Sequence, residues 1–507
     1  MDKNSLEISQ ASDLQSAGER TVYRLFELLP GLLSWGTLGG AFFFSWYRPA
    51  WAAIFIILFC IFWLCKIIYL SYHQFLSFKK MKKHLAIDWR GKLNQLPNNN
   101  WQDIYQLVIL PAYKEGEQII RSSCQSLLEA DYPQDKIIVI LSYEAKAGKE
   151  ARKTAQVIKR EYEQKFGKFL ITFHPHNLPG EMAGKGSNVA WALKYAEKEI
   201  KDIPHENILV STFDTDTKIY PQYFTCLTWH YLTAAKPFRS SFQPIPVYNN
   251  NIWEAIPFAR VIATSNTFWQ MMQQERQQQL VTYSSHSVPF NVLKEVGYPA
   301  NVVPDDSRVF WKAFFHYEGD YQTVPLHYPV SMDMVMAESW FKTVVNQYKQ
   351  QRRWAWGCME IPFIIYGLLK NKKIPLSKKL YYIFNVLDGF WSWAVAALLI
   401  FCLGWLPLTL GGEEFNTTLL SYNLPKITGV IMGIAMFGML FSAVLSVFLL
   451  PRRPQRYGKI KSFFVALQWL LLPITLIVFG AFPALDAQTR LLLGKYMGFW
   501  STDKIRK

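Results

Sequence analysis

The chain has 507 residues, 50% of them hydrophobic and 16% aromatic, and carries 54 Lys and Arg against 38 Asp and Glu, a formal charge of +16. So apolar a composition at this length argues against one water-soluble domain and for a soluble part joined to a membrane part. The positive charge clusters beside apolar segments, as at Lys79, Lys80, Lys82 and Lys83, with no nucleic-acid reading motif, so nucleic acid is set aside as a partner and membrane lipids are favoured.

Residues 1–27 are polar, hold no short apolar core followed by a small-residue cleavage site, and are expected to form a retained cytoplasmic tail. Apolar runs at about 28–46 and 51–72 are each long enough to cross a bilayer and predict an N-terminal transmembrane hairpin over 28–75. The lysines after the second run place both ends of this hairpin in the cytoplasm. Residues 84–340 have ordinary globular composition. There QLVILPAY, KIIVILSY, FLITFHPH and NILVSTFD read as buried strands, while QIIRSSCQSLLEA, ARKTAQVIKREYEQKF and SNVAWALKYAEKEI read as helices. Their alternation predicts an α/β domain with a mainly parallel sheet, whose ligands bind beyond the carboxyl ends of the strands.

Interfacial helices are expected over 341–380 and two more spans over 381–450, joined by the polar, outward-facing GGEEFNTTLLSYNLP. The apolar stretch 463–482 contains Pro473 near its middle, and a full crossing would leave the basic tail on the wrong side. A re-entrant or interfacial hairpin over 463–498 is therefore expected. The six cysteines show no CxxC or Cys/His metal spacing and read as free thiols. His174 and His176 likewise lack ligand spacing and read as structural.

Three constellations carry chemistry. Asp214 and Asp216 follow an apolar strand in STFDTDTK; two carboxylates so placed suit a hard divalent cation, Mg2+ or Mn2+, that holds phosphate oxygens. Asp305 and Asp306 form a second acidic pair in VPDDSRVFWK, which a helix N-cap would equally explain. In QQRRWAWG, arginine offers a rigid fork of donors for phosphate and tryptophan a flat face for a sugar ring, although basic anchors in an interfacial aromatic belt have the same composition. GEMAGKGS fails as a P-loop because only three residues separate Gly180 and Gly184 and glycine follows the lysine.

Together these motifs resemble the membrane-embedded, inverting family 2 glycosyltransferases, the group of cellulose, chitin and hyaluronan synthases, over about 105–360. The resemblance implies an α/β GT-A-type glycosyltransferase domain plus an α-helical transmembrane region. It implies nucleotide-sugar contacts at Pro111, Tyr113 and Glu115, and a DxD metal motif at Asp214 and Asp216. It further implies a catalytic base at Asp306 beside Asp305, and a QxxRW motif at Gln350, Arg353 and Trp354, with Arg353 on the leaving diphosphate and Gln350 and Trp354 on the acceptor. MAGKGSNVAWAL is similar to the family's lysine and asparagine segment, which places Lys185 and Asn188 near the nucleotide. The family ends its second strand with an Asp against the base; here Glu144 is the nearest acid. Phe499-Trp500-Ser501-Thr502-Asp503-Lys504 resembles a cellulose synthase gating loop, in which Phe499, Thr502 and Lys504 are the matching positions within a terminal segment 499–507.

The function implied is inverting, metal-dependent transfer from a nucleotide-diphospho-sugar, UDP-linked in the family, to a growing polysaccharide at the membrane, with translocation. Single-sugar transfer to a lipid-linked acceptor is the alternative, and an inactive transporter or scaffold with a degenerate transferase domain a second. The implied partners are the donor, a glycan or lipid-linked acceptor, and membrane lipids. The small number of spans calls for a homo-oligomer or partner if a polymer is to pass. A multi-pass protein of the plasma or inner membrane, with its catalytic domain in the cytoplasm, is the expected location.

Overall fold

The computed structural model describes residues 4–97, 100–458 and 460–500. Helices α1 (Ala17–Tyr47) and α2 (Pro49–Ala86) open it, joined by Arg48 alone. The reversal is this tight because Pro49 lies in the first turn of α2, where a missing N–H leaves no gap in the helical ladder. The polar tail does not trail away. Leu6 and Ile8 are buried, the Ile8 carbonyl accepts from Arg308 Nη1 at 2.7 Å, and Glu7 pairs with Lys312.

Alternation then sets in as the apolar runs predict: β1 (Tyr105–Ala112), α3 (Glu117–Leu128), β2 (Ile137–Glu144), α4 (Gly148–Tyr162), β3 (Lys168–His174), α5 (Lys185–Glu199) and β4 (Ile208–Thr212). Next come β5 (Lys218–Ile219), β6 (Ser240–Tyr248), α6 (Pro257–Gln274), β7 (His286–Pro289), α7 (Asp305–His316) and β8 (Gln322–Met332). The eight strands form one sheet in the order β3-β2-β1-β4-β7-β6-β8-β5. The first four are mutually parallel, β7 runs antiparallel between β4 and β6, β6 and β8 are parallel, and β5 is an antiparallel edge. Helices cover both faces, so alternate residues of β1 enter different cores. Leu107 and Ile109 pack with Val189 and Ala192 of α5, and Val108 and Leu110 with Ile120 of α3 and Ala155 of α4.

Beyond the sheet lie α8 (Trp340–Ala355), α9 (Glu360–Lys370), α10 (Leu376–Leu398) and α11 (Leu419–Phe448). Among the described residues, five helical stretches are long and apolar enough to cross a membrane: α1, α2, α10 with its extension to Leu403, α11, and Ile460–Leu492. The α/β domain with its mainly parallel sheet and the separate set of apolar helices are thus both present.

Two details differ from expectation. The polar loop before α11 is largely helical: the Thr418 side chain caps α11 by accepting from the Ser421 N–H at 3.2 Å, and Pro425 sits inside the helix rather than ahead of it. Within the segment expected to be re-entrant or interfacial, no sharp reversal occurs at Pro473. Helical turns succeed one another through Ile460–Leu492, and Pro473 falls in the first turn of the piece Leu472–Leu476, where its ring forces no reversal. Both ends of this run nevertheless meet the α/β domain and its flanking helix. Lys461 Nζ donates to the Trp253 carbonyl at 2.7 Å, and Asp486 pairs with Arg352 of α8 at 2.8 Å. The run ends against α1, where Arg24 donates to the Leu491 and Leu492 carbonyls at 2.9 and 2.6 Å.

Candidate active site

The four strands β3-β2-β1-β4 are parallel, so their carboxyl ends open on one side, where the turns after β1 and β4 are tied together. Thr215 Oγ1 donates to the Pro111 carbonyl at 2.6 Å, and Ser123 of α3 donates to the Thr215 carbonyl at 2.6 Å. With Thr215 so anchored, its neighbours face different surroundings. The Asp214 side chain is 28% exposed, whereas Asp216 is buried with Oδ2 accepting from the Asp333 N–H at 2.7 Å. Ser284 donates to Asp214 Oδ2 at 2.8 Å. On the β1 turn, Glu115 folds back to accept from the Tyr113 N–H at 2.6 Å.

Asp305 and Asp306 occupy the first turn of α7, where the helix dipole favours negative charge, yet neither side chain caps the helix. Gly186, at the start of α5, explains how the two helix N-termini come so close. A Cβ there would lie 2.3 Å from the Pro299 carbonyl oxygen and 3.0 Å from Asp305 Cβ. Lys185, one residue earlier, therefore reaches both acidic motifs. Its Nζ donates to Asp214 Oδ1 at 2.8 Å and to Asp306 Oδ1 and Oδ2 at 2.8 and 3.0 Å. Burial alone would lower the pKa of this amine, but Asp214, Asp306 and Asp305 outweigh it and the net shift is upward. Asp305 lies deeper, 3% exposed, with Tyr298 donating to it at 3.2 Å. Burial first, and the Asp306 charge second, raise its carboxyl well above the ordinary carboxylate range. Of the two acids, Asp306 is the one that faces open space, with its side chain 22% exposed.

Asn188, one turn along α5 from Lys185, lines the cavity and ties α5 to β2. Its amide exchanges hydrogen bonds with the Ser142 hydroxyl and, at 2.8 Å, the Ser142 carbonyl. Glu144 ends β2 buried, its carboxylate 3.5 Å from His174 Nδ1, and His174 Nε2 bonds Glu181 at 2.7 Å. Burial works to lower the His174 pKa, but the two carboxylates prevail and raise it. The histidine read as structural is thus the counter-charge of the acid expected near a base.

Helix α8 delivers the QxxRW residues. Its Gln350 is buried and accepts from Gln347 at 3.3 Å. Arg352 turns away to Asp486, while Arg353 turns toward Phe499, its Cζ 5.1 Å from the ring centroid. Trp354 packs against Tyr248 with ring centroids 6.3 Å apart. Phe499 also fills the space beside Gly184, where a Cβ would come 2.6 Å from its Cγ. Thr502 and Lys504 lie outside the described residues.

One cavity of about 1430 Å3 is lined by Pro111, Tyr113, Glu115, Glu144, Lys185, Asn188, Asp214, Asp216, Asp305, Asp306, Gln350, Arg353, Trp354 and Phe499, and it continues between α2, α10 and α11. Among the described residues no three His, Cys, Asp or Glu side chains form a cage for a metal ion. Asp214 and Asp216 still fit a divalent cation of the kind held by one or two carboxylates and completed by substrate phosphate oxygens, since Asp214 lines the cavity and now faces an ammonium.

No protein family matches the chain by sequence profile, and no curated protein matches it in sequence. Solved structures give weak likenesses. The mannosyltransferase PcManGT from Pyrobaculum calidifontis, in complex with GDP-Man and Mn2+, is 14% identical over 78% of this chain and 99% of its own, with a TM-score of 0.40. S. aureus TarS 1–349, in complex with UDP-GlcNAc, is 13% identical over 78% and 93%, with a TM-score of 0.37. Scores this low transfer no residue role to this chain.

Several side chains at the site carry no motif. His286 lies 3.5 Å from Asp306 Oδ1 through Nδ1, which also meets the Tyr283 carbonyl at 2.8 Å; burial lowers its pKa and keeps it neutral. Thr282 donates to the Asp306 carbonyl at 2.7 Å. The polar run TYSSHS between apolar segments was the available signal, and it reads equally well as a turn.

Proposed function

We propose that this chain is a metal-dependent, inverting glycosyltransferase that moves a sugar from a nucleotide-diphospho-sugar to an acceptor at the membrane surface. The observation that carries the reading is the Lys185 bridge, which holds Asp214 and Asp306 on one ammonium in the cavity that Arg353 and Trp354 also line. Asp214 and Asp216 are the residues that would hold Mg2+ or Mn2+, whose chemistry is to offset the charge of the diphosphate. Lys185 and Arg353 supply fixed positive charge where the leaving diphosphate becomes more negative. Asp306, the exposed acid of its pair, takes the proton of the acceptor hydroxyl as that oxygen attacks C1 from the face opposite the leaving group. Asp305, held near neutrality, and buried His286 and Tyr298 fix the position of Asp306. Trp354 seats the acceptor ring, and Tyr113, Glu115 and Glu144 line the donor end.

A scaffold with a degenerate domain has no use for three acidic side chains around one largely buried lysine, a costly arrangement unless a ligand uses it. The test is release of nucleotide diphosphate from a panel of sugar nucleotides by the full-length protein in membranes, followed by sizing of the product. Long polymer supports elongation, a single glycolipid supports one-step transfer, and no turnover with any donor removes the enzyme reading.

A further inference from the structure

The cavity does not stop at the acidic centre. Its wall toward the apolar helices holds three charged groups that the transfer chemistry leaves unused: Arg276, just after α6, Lys66 on α2 and Asp388 on α10. Lys66 pairs with Asp388 at 2.9 Å and donates to Ser392 at 3.1 Å. The Arg276 guanidinium sits 5.9 Å from the Tyr69 ring centroid and donates to Gln273 at 2.9 Å, while its buried Nε has no hydrogen-bond partner. The nearest acid in sequence, Glu275, is taken up by Lys80 at 2.7 Å. No carboxylate pairs with Arg276 among the described residues.

Depth follows from helix geometry. Lys66 comes 17 residues after Pro49, the end of α2 far from the α/β domain, a rise of about 25 Å in a hydrocarbon layer of about 30 Å. The ion pair therefore lies near the domain-side boundary of the membrane. The Arg276 segment touches α2 at Tyr69 and α10 through a Gln279–Asn385 hydrogen bond, each three residues nearer the domain than the ion pair. That sets the guanidinium about one helical turn above the pair, at head-group level. The same segment runs on to Thr282 and Ser284, which bond Asp306 and Asp214. An uncompensated cation thus stands at head-group depth, with apolar cavity beneath it and the acidic centre beside it.

We propose that this wall is an acceptor subsite for a lipid phosphate, with Arg276 holding the phosphate, Lys66 assisting from one turn deeper, and the hydrocarbon chain lying between α2, α10 and α11. The inference rests on the transferase reading and gives its acceptor class: a phospholipid whose head group carries a free hydroxyl. That hydroxyl oxygen forms the new bond to C1 of the donor sugar; the bond from C1 to the diphosphate oxygen breaks and its electron pair leaves with the nucleotide diphosphate; the hydroxyl proton goes to Asp306. The phosphate is a handle and does not react.

The experiment measures melting of the detergent-solubilised full-length protein with farnesyl phosphate, farnesol or inorganic phosphate, since a ligand that binds only the folded state raises the melting temperature with its concentration. Farnesyl phosphate is expected to stabilise wild type, and the other two not. Arg276→Gln is expected to need roughly tenfold more farnesyl phosphate for the same shift, with Arg276→Lys in between. Ligand-free melting of each variant shows whether it folds, and the lysine variant keeps the test usable if the glutamine one does not. Equal stabilisation by farnesol, an equal effect of inorganic phosphate alone, or an unchanged response in folded Arg276 variants overturns the subsite. Failure of the transferase reading would look different: no nucleotide release from any donor by wild-type protein, with or without phosphatidylglycerol, a phospholipid with free head-group hydroxyls.

Discussion

Replacing Lys185 by Met tests the bridge at its centre. The side chain is 10% exposed, and its ammonium serves Asp214 and Asp306, whose side chains are 28% and 22% exposed. Methionine keeps much of the volume and removes the charge, leaving Asp214, Asp305 and Asp306 without their shared cation. Breaking a buried pair costs about 3–5 kcal/mol, and partial exposure of the partners points to the lower end, about 3 kcal/mol. For a domain of this size that lowers the melting temperature by roughly 6–12 °C. The pH dependence has a definite sign. Lys185 holds down an Asp305 carboxyl that burial already raises, so without the ammonium that carboxyl rises further, and the loss is present at neutral pH and shrinks as pH falls toward about 4. The Lys185 pKa is itself raised, so in wild type its contribution holds throughout the neutral range and fades only at strongly alkaline pH. A divalent cation should replace part of the missing charge, so Mn2+ is expected to stabilise the variant more than wild type. Thermal melting from pH 4.5 to 8, with and without Mn2+, measures all of this. A variant as stable as wild type at pH 7 and no more responsive to Mn2+ refutes the bridge.

Other substitutions separate the roles further. Asp305→Asn removes a carboxyl whose raised pKa makes wild type lose stability as pH climbs above about 4, so the variant should melt higher at neutral pH, by on the order of 1 kcal/mol, with no gain at pH 4; parallel pH–melting curves would count against it. Arg308→Met leaves Glu360, bonded by Arg308 Nε at 3.0 Å, buried without its partner and frees the Ile8 carbonyl, for a loss of about 3–5 kcal/mol seen by denaturant melting. Trp354→Ala should raise the acceptor KM several-fold while nucleotide release to water stays near wild type; equal loss of both would move Trp354 out of acceptor binding.

Strands β1 to β4 were legible because each is a short apolar run ending in polar residues, the pattern of a parallel strand buried on both faces. Asp214 and Asp216 were legible because a carboxylate pair after such a strand has few structural uses. The Lys185 bridge was not, since it needs Gly186 to admit α7 against α5, and close approach between segments over a hundred residues apart leaves no periodic trace. Arg276 sits in the amide-rich QQERQQQ, where a solvated face and a cavity wall have the same composition. Pro473 left the path of its segment open, because a proline within an apolar run marks a helix start as readily as a break, and only the contacts of Lys461 and Asp486 reveal where its ends lie.

The most direct test of the converging acidic centre compares wild type with Asp306→Asn for donor binding and for nucleotide diphosphate release in the presence of Mn2+. Donor affinity should agree within about twofold, while release to acceptor falls by roughly 10²–10⁴-fold. Release at the wild-type rate would contradict the account.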